Sequence, residues 1–162
     1  MALQKLISNV IDSIEHNITL QEVLDSMINN KTKHFVLLDN KKPVGIITER
    51  DILFLYTKHI DLNLKAIDFA KKCLITSKSN RKVNYILGLM LNHKIRRVVI
   101  VDLEGNYLGT ILQEKLIYEF EQDIFKTHTK AKDLIRVNLK AFFVQKEANI
   151  QMAIELMSEK YI

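Results

Sequence analysis

The stretch GIITERDIL, from Gly45 to Leu53, combines residue types that can hold a polar ligand. Thr48 offers a hydroxyl, and three residues later Asp51 offers a carboxylate, an acceptor-only group with two oxygens. A helix that begins near Glu49 would also turn its partly positive N-terminus toward an anion. The same Thr-x-x-Asp spacing is typical of a capping box, in which the two side chains only fix the start of the helix. By itself the motif favours capping, because such boxes are common and ligand sites are rare.

The rest of the chain offers little material for catalysis or metal binding. It has no Walker loop, no Gly-x-Ser-x-Gly elbow and no clear pair of nucleophile and base, and it contains only 4 glycines. The single cysteine, Cys73, can form neither an internal disulfide nor a thiolate cluster. None of the 5 histidines pairs with another at metal-ligand spacing, so we expect surface or hairpin positions for them. These observations predict a non-enzymatic protein with no metal and no required cofactor.

Composition indicates a globular protein, and the charge alone identifies no partner. A chain of 162 residues with 48% hydrophobic content can bury a core. No apolar run approaches the roughly 18 residues of a membrane helix, and the N-terminus lacks a signal pattern, so we expect a cytoplasmic location and no membrane segment. The net charge of +5 favours anions, but charges of both signs are interspersed, without the long basic blocks of a nucleic-acid tail.

The chain repeats itself with an offset of 64 residues, which is the difference 109 − 45 between two aligned glycines, Gly45 and Gly109. The alignment sets FVLLDNKKPVGIITERDIL beside VVIVDLEGNYLGTILQEKLI, with one extra residue in the second turn. Each segment has two apolar runs around a polar turn and then a helical pattern, which predicts a β-hairpin followed by a helix.

A helix is also predicted upstream of each hairpin, and Thr19 with Glu22 forms a capping box for the first of them. Apolar residues recur there at i, i+3, i+4 and i+7, namely Leu20, Val23, Leu24 and Met27 in the first repeat and Val83, Ile86, Leu87 and Met90 in the second. The predicted unit is therefore strand, helix, strand, strand, helix, used twice in an α/β (α+β) fold.

A third copy begins near the end of the chain and stops. The segment AKDLIRVNLKAFFVQKEANIQMAIELMSEKYI carries the same helical stripe, at Ile150, Ala153, Ile154 and Met157. The hairpin that should follow is missing, so we expect the chain to be a piece of a longer protein. The predicted organisation is a first repeat with an N-terminal helix at 1–64, a second repeat at 65–126, and a linker with the truncated third repeat at 127–162.

The repeated pattern resembles tandem CBS domains, the paired regulatory units also called Bateman modules. The resemblance rests on the helix stripe, the strands ending in aspartate (FVLLD and VVIVD), and VGIITERDIL, which fits the Gly-hydrophobic-hydrophobic-Thr-x-x-Asp junction of the family. It covers nearly the whole chain. It implies two repeats, each a three-stranded sheet with two helices on one face, packed sheet to sheet about a pseudo-twofold axis. Two clefts then lie between the repeats, and many members bind an adenosine nucleotide or S-adenosylmethionine there.

With this resemblance the opening motif becomes a candidate ribose site. One carboxylate can accept hydrogen bonds from both neighbouring ribose hydroxyls, which suits Asp51, while Thr48 adds a hydroxyl beside the sugar or phosphate. The second repeat is a control, because its corresponding residues are Leu112 and Lys115 and its strand and helix patterns persist. We therefore favour a ligand role for Asp51, alongside capping, and expect the second repeat's own site to be empty.

The other predicted ligand contacts come from the opposite repeat. The chain resembles the gamma subunit of AMP-activated kinase here, in which basic residues at the matching positions bind phosphate. The resemblance therefore assigns that role to one of Arg96 and Arg97, with Lys115 as an added positive charge. The alternative for the arginine pair is a solvated surface position. For the adenine ring the resemblance implies contacts from Ile46, Leu74, Ile75 and Thr76, for which plain core packing is the alternative.

The resulting hypothesis is a regulatory module that senses an adenosine nucleotide, AMP, ADP or ATP, with S-adenosylmethionine less favoured. Ligand binding would stabilise one orientation of the repeats and so control a fused output domain in signal transduction. We also expect a homodimer, with Leu3, Leu6, Ile7 and Val10 docking as an extra helix. Two alternatives stay open, a ligand-free dimerisation or scaffold module and, less favoured, a basic nucleic-acid-binding module.

Overall fold

The first repeat forms a three-stranded sheet with a two-residue hairpin turn. The computed structural model describes residues 3–8, 10–117 and 142–160. The elements of the repeat are β1 (Ser13–Glu15), α1 (Leu20–Asn30), β2 (His34–Asp39), β3 (Lys42–Thr48) and α2 (Glu49–Thr57). β2 lies in the middle, parallel to β1 and antiparallel to β3. Asn40 and Lys41 turn the hairpin with φ of 48° and 67°, the left-handed conformation that matches the twist of a two-residue turn.

The second repeat has the same topology. Its elements are β4 (Thr76–Lys78), α3 (Val83–His93), β5 (Arg97–Val101), β6 (Tyr107–Leu112) and the described part of a further helix, α4, at residues 113–117. β5 is the central strand. The longer turn is organised by Asp102, whose carboxylate accepts the backbone N–H groups of Glu104 and Asn106. The predicted α/β fold with a repeated unit is therefore confirmed.

Each upstream helix buries its apolar stripe against its own sheet. Leu20, Val23 and Met27 of α1 are buried with Phe35 and Leu37 of β2. In the second repeat the corresponding core combines Val83, Ile86 and Met90 of α3 with Val98 and Ile100 of β5. Burying one such side chain contributes about 1.5–3 kcal/mol, so these stripes are the main source of each repeat's stability.

The opposite faces of the two sheets pack against each other. Side chains alternate along a strand, so Val36 on β2 points away from α1, and Val99 and Val101 on β5 point away from α3. These three valines are buried together in a cluster of their own. Both central strands are thus covered on two faces, which explains why FVLL and VVIV are continuous apolar runs rather than alternating ones.

The N-terminal segment docks on the second repeat. Leu3–Leu6 forms a single 3-10 turn, and Leu3 and Leu6 are buried in the core of α3, β5 and β6. The backbone N–H of Ser8 donates to the carbonyl of Thr110 on β6. The predicted docking is therefore present, although it uses one short turn, and Val10 remains 46% exposed.

The helix predicted for the third copy is present as α5 (Ile150–Lys160). It lies against α2, with Ala153 and Ile154 half-buried and Ile150 79% exposed. The predicted boundary between residues 126 and 127 falls outside the described residues. None of the helices that the structure describes is long and apolar enough to cross a membrane.

Candidate functional site

Thr48 and Asp51 form the capping box that starts α2. The Asp51 backbone N–H donates to Thr48 Oγ1 at 3.4 Å. In return Asp51 Oδ2 accepts the Thr48 backbone N–H at 2.9 Å and the Thr48 hydroxyl at 2.6 Å. The capping role weighed from the sequence is thus realised, and it leaves only Oδ1 of Asp51 outside the box.

The second repeat begins its helix without these residues, as the sequence comparison predicts. After Leu112 the chain is helical from Gln113. Gln113 donates its backbone N–H to the carbonyl of Arg96 at 2.8 Å, and Glu49 donates in the same way to Lys33 at 3.1 Å. This shared backbone contact anchors both helices to the neighbouring strand, so the Thr48–Asp51 pair is an addition specific to the first repeat.

A cleft of about 440 Å³ lies between the two repeats at this helix start. Its first wall is the end of β3 and the start of α2, and its second wall is the segment before β4 together with the start of β5. Six of the predicted site residues line it, namely Ile46, Thr48, Leu74, Ile75, Arg96 and Arg97. The structure therefore brings together side chains that are up to 51 positions apart in the sequence, counted as 97 − 46.

Backbone pairing fixes the distance between the two walls. Ile46 and Lys71 exchange two hydrogen bonds, N–H to O at 3.0 Å and 2.9 Å. Gly45 allows this close approach, because a Cβ at that position would lie 3.0 Å from the Cβ of Ala70. The glycine of the motif thus accommodates the chain's own segment, which then carries Leu74 and Ile75 into the cleft.

Three predicted site residues do not line this cleft. Asp51 lies beside it and lines an adjoining cavity of about 610 Å³. Thr76 is an exposed residue of β4. Lys115 belongs to the other side of the pair, where its ammonium donates to the carbonyl of Ile7 at 3.1 Å. As the counterpart of Asp51 in the second repeat, Lys115 faces the docked N-terminal segment, so its predicted contribution to this cleft finds no support in the geometry.

Sequence reasoning missed the basic character of the whole cleft. Arg50, Lys71 and Lys94 line it together with Arg96 and Arg97, against the single acidic side chain of Glu49. Lys71 also forms an ion pair with Asp51, Nζ to Oδ1 at 2.8 Å. The only signal in the sequence is the run KK at 71–72, which looks like any solvated surface pair until the pairing with Ile46 places it.

Arg97 is the most constrained of these basic groups. It is half-buried, and its Nη1 is a buried atom without a hydrogen-bond partner among the described residues. Burial lowers the pKa of Arg97, while the carboxylates of Asp51, Glu49 and Glu114 act in the opposite direction. Arginine remains charged even so, and a desolvated guanidinium N–H is costly to leave unpaired. The cleft therefore offers an anion a buried donor group that carries a positive charge.

Comparison with known proteins agrees with this architecture. The family model for the CBS domain matches residues 5–58. A CBS domain protein from Pyrobaculum aerophilum, solved in complex with AMP, is 27% identical, with a TM-score of 0.67 over 73% of this chain and 92% of that chain. Residues 5–58 thus match the CBS domain, and the fold of the chain is that of CBS domain proteins. A CBS domain pair solved with 5′-methylthioadenosine and S-adenosyl-L-methionine, 22% identical with a TM-score of 0.66 over 75% of this chain and 97% of that one, shares the fold.

The curated relatives include much longer enzymes. Inosine-5′-monophosphate dehydrogenase from Pasteurella multocida is 32% identical over 102 residues, which is 61% of this chain but only 20% of that enzyme. The matched region is a CBS module, a regulatory and non-catalytic type of domain. Within the described part of the chain, no group of three or more His, Cys, Asp or Glu residues is placed to hold a metal ion.

On the opposite side of the pair, buried polar side chains of the two repeats contact each other. Asp12, just before β1, is 4% exposed and accepts a 2.6 Å hydrogen bond from the Tyr107 hydroxyl on β6. His34, the first residue of the β2–β3 hairpin, is also buried, with Nε2 3.5 Å from Asp12 Oδ2; it has the hairpin position expected from the sequence, on the inner face of the sheet. His34 corresponds to Arg97 in the repeat alignment. On this side an internal carboxylate faces the basic position, and the docked N-terminal segment lies beside it.

Proposed function

We propose that the chain is a regulatory module that binds one adenosine nucleotide in the 440 Å³ cleft between its two CBS repeats, 1–64 and 65–126, and controls an output domain of a longer protein. The comparison with the Pyrobaculum aerophilum protein supports an adenosine ligand, since that protein was solved with AMP. The cleft of this chain has the matching chemistry, because apolar side chains and five basic side chains line it together.

The proposal rests mainly on Nη1 of Arg97. Among the described residues, this buried donor has no hydrogen-bond partner. A buried guanidinium donor lacks only an acceptor, and a phosphate oxygen supplies one with opposite charge. Arg96 is exposed at the mouth of the same cleft, so it can contact a phosphate from the solvent side. An anion bound here would compensate the free-energy cost of desolvating the Arg97 guanidinium.

The remaining groups fit a nucleoside. Asp51 lies on the first repeat beside the cleft, and the negative charge of its carboxylate opposes the lowering of the Arg97 pKa by burial. A ribose placed between them can donate its hydroxyls to Asp51 while its phosphate reaches Arg97. Ile46, Leu74 and Ile75 then form the apolar slot for adenine, with the backbone groups of the segment before β4 available for its ring nitrogens.

Calorimetric titration with AMP, ADP and ATP tests the proposal. The unsubstituted chain should bind at least one of them with one site per chain. Arg97→Met should weaken that binding by about 10- to 100-fold, which corresponds to the loss of a hydrogen bond to a charged group. Arg81→Met is the matched control, because Arg81 stacks on Tyr85 away from the cleft. No binding by the unsubstituted chain, or equal affinity after both substitutions, would refute the nucleotide site.

The other hypotheses give different results in the same experiments. A scaffold or dimerisation module binds none of the nucleotides. A nucleic-acid binder should instead bind DNA or RNA with a steep dependence on salt, and Asp51→Ala should not alter that binding.

The homodimer and the output domain belong to the same proposal. Apolar side chains on α2 remain accessible beside α5, with Leu53 39% and Tyr56 64% exposed. We expect a second copy to cover this surface, and sedimentation equilibrium with and without nucleotide measures whether it does. A monomer at all concentrations would remove the dimer from the proposal without affecting the nucleotide site.

A further inference from the structure

Both oxygens of the Asp51 carboxylate have partners in the structure. Its Oδ2 belongs to the capping box with Thr48, and its Oδ1 lies 2.8 Å from the Lys71 ammonium. The atom that a ribose needs as an acceptor is therefore already held by a cation. A ribose that donates both of its hydroxyls to Asp51 must therefore displace Lys71, because the carboxylate has about four acceptor sites and three of them are in use.

The side chain of Lys71 can move away from Asp51 while its backbone stays in place. Its backbone is fixed by the two hydrogen bonds with Ile46, whereas its side chain is 63% exposed. An ion pair with so much solvent access holds its partner weakly, and the long lysine side chain can turn without moving the wall of the cleft. Lys71 lines both the 440 Å³ cleft and the adjoining cavity that contains Asp51, so its ammonium can reach from one to the other.

We propose that Lys71 is the specificity-determining residue of the cleft and selects adenosine ligands that carry a phosphate. In the unliganded chain its ammonium pairs with Asp51. When a nucleotide enters, the ribose hydroxyls replace Lys71 at Asp51 Oδ1, and the released ammonium pairs with the ligand's phosphate. This inference rests on the proposed nucleotide site and names the class of ligand that the site takes.

The exchange balances charge only for an anionic ligand. When ribose hydroxyls displace Lys71 from Asp51, the phosphate of a nucleotide gives the ammonium a new anionic partner. Adenosine displaces Lys71 from the carboxylate and offers its ammonium no anionic partner, in a cleft that five basic side chains and the acidic Glu49 line. S-adenosylmethionine brings a net positive charge into the same cleft, because its sulfonium and ammonium outnumber its one carboxylate. The geometry therefore disfavours both of these ligands for the same reason.

Titration of adenosine, AMP, ATP and S-adenosylmethionine against three proteins tests the exchange. The proteins are the unsubstituted chain, Lys71→Met, and Lys72→Met as a matched control. Lys72 is the next residue, is equally exposed, and does not line the cleft. The unsubstituted chain should bind AMP and ATP at least about tenfold more tightly than adenosine, because only the nucleotides replace the broken ion pair.

The substitution should change the two ligand classes in opposite directions. Lys71→Met removes the phosphate partner and lowers the affinity for AMP and ATP by about tenfold. It also frees Asp51 Oδ1, so the affinity for adenosine should rise by about two- to fivefold. Lys72→Met should leave all four affinities unchanged within about twofold, the general screening effect of one exposed charge.

The outcomes separate this inference from the proposed function. If the unsubstituted chain binds none of the ligands, the nucleotide site is wrong and the inference falls with it. If AMP binds but Lys71→Met weakens adenosine and AMP by the same factor, the site stands and Lys71 is a structural residue instead. Tight binding of S-adenosylmethionine by the unsubstituted chain would also overturn the selection by charge.

Discussion

Replacing Asp51 by asparagine should separate its capping role from its ligand role. The asparagine carbonyl can still accept the backbone N–H and the hydroxyl of Thr48, which lie 2.9 Å and 2.6 Å from Oδ2 in the native box. What the substitution removes is the negative charge and the second acceptor atom. The lost pair with the mostly exposed Lys71 is worth about 0.5 kcal/mol or less, so the free energy of unfolding should fall by less than about 1 kcal/mol.

Nucleotide affinity should respond much more strongly to the same change. Ribose hydroxyls donating to a carboxylate form charge-assisted hydrogen bonds, and losing one such bond costs about 1.5–3 kcal/mol, or about 10- to 100-fold in affinity. Isothermal titration calorimetry with AMP measures this loss. Urea denaturation followed by circular dichroism measures the stability of the same samples.

The first helix of the chain supplies the opposite control. Thr19 caps α1 in the same geometry, accepting the Glu22 backbone N–H at 3.2 Å, but it lies outside the cleft. Thr19→Ala should lower the free energy of unfolding by about 1 kcal/mol, the usual cost of a lost N-cap, and leave AMP affinity unchanged. Should Asp51→Asn bind AMP as tightly as Thr19→Ala does, Asp51 is only a cap and the assignment of the ribose site is wrong.

Two further predictions concern the contacts on the opposite side of the pair. Gly109→Ala should destabilise the chain by about 2–4 kcal/mol in urea unfolding, because the φ of 144° is strained for alanine and the new Cβ would overlap Ile7. The double variant with Ile7→Ala should lose less stability than the sum of the two single losses. Simple additivity of the two losses would contradict the contact. Tyr107→Phe should cost about 1–3 kcal/mol by leaving buried Asp12 without its 2.6 Å partner, and a loss below 0.5 kcal/mol would show that the bond matters little. Burial also raises the pKa of Tyr107 above its ordinary value of 10.0. The unfolded chain therefore binds fewer protons above about pH 10, so stability should fall as pH rises there, and Tyr107→Phe should flatten that fall.

The repeated fold could be predicted because it depends on local periodicity. Leu20, Val23 and Met27 mark the buried face of α1 by spacing alone, and the apolar runs around the polar turns mark the two hairpins. The Thr19 capping box is also local, and the structure contains it as predicted. Comparing the repeats added one inference that no single motif supports, namely that α4 begins without a threonine and aspartate.

The cleft was only partly predictable, because its composition depends on contacts between distant segments. Lys71 enters the cleft only because its backbone pairs with Ile46 on β3, and nothing in the local sequence signals that pairing. The sequence assigned Lys115 to the cleft as an added positive charge. In the structure the N-terminal segment docks beside it, and its ammonium donates to the carbonyl of Ile7. The burial of His34 against Asp12 likewise requires the strand order of the first sheet.

A crystal structure of the chain grown with AMP tests the nucleotide site most directly. We expect density for the nucleotide in the cleft between β3 and β5, with a phosphate oxygen about 3 Å from Nη1 of Arg97 and the ribose hydroxyls on the Asp51 carboxylate. A cleft that holds only solvent at saturating AMP, or a nucleotide bound elsewhere on the molecule while Arg97 stays unpartnered, would contradict it.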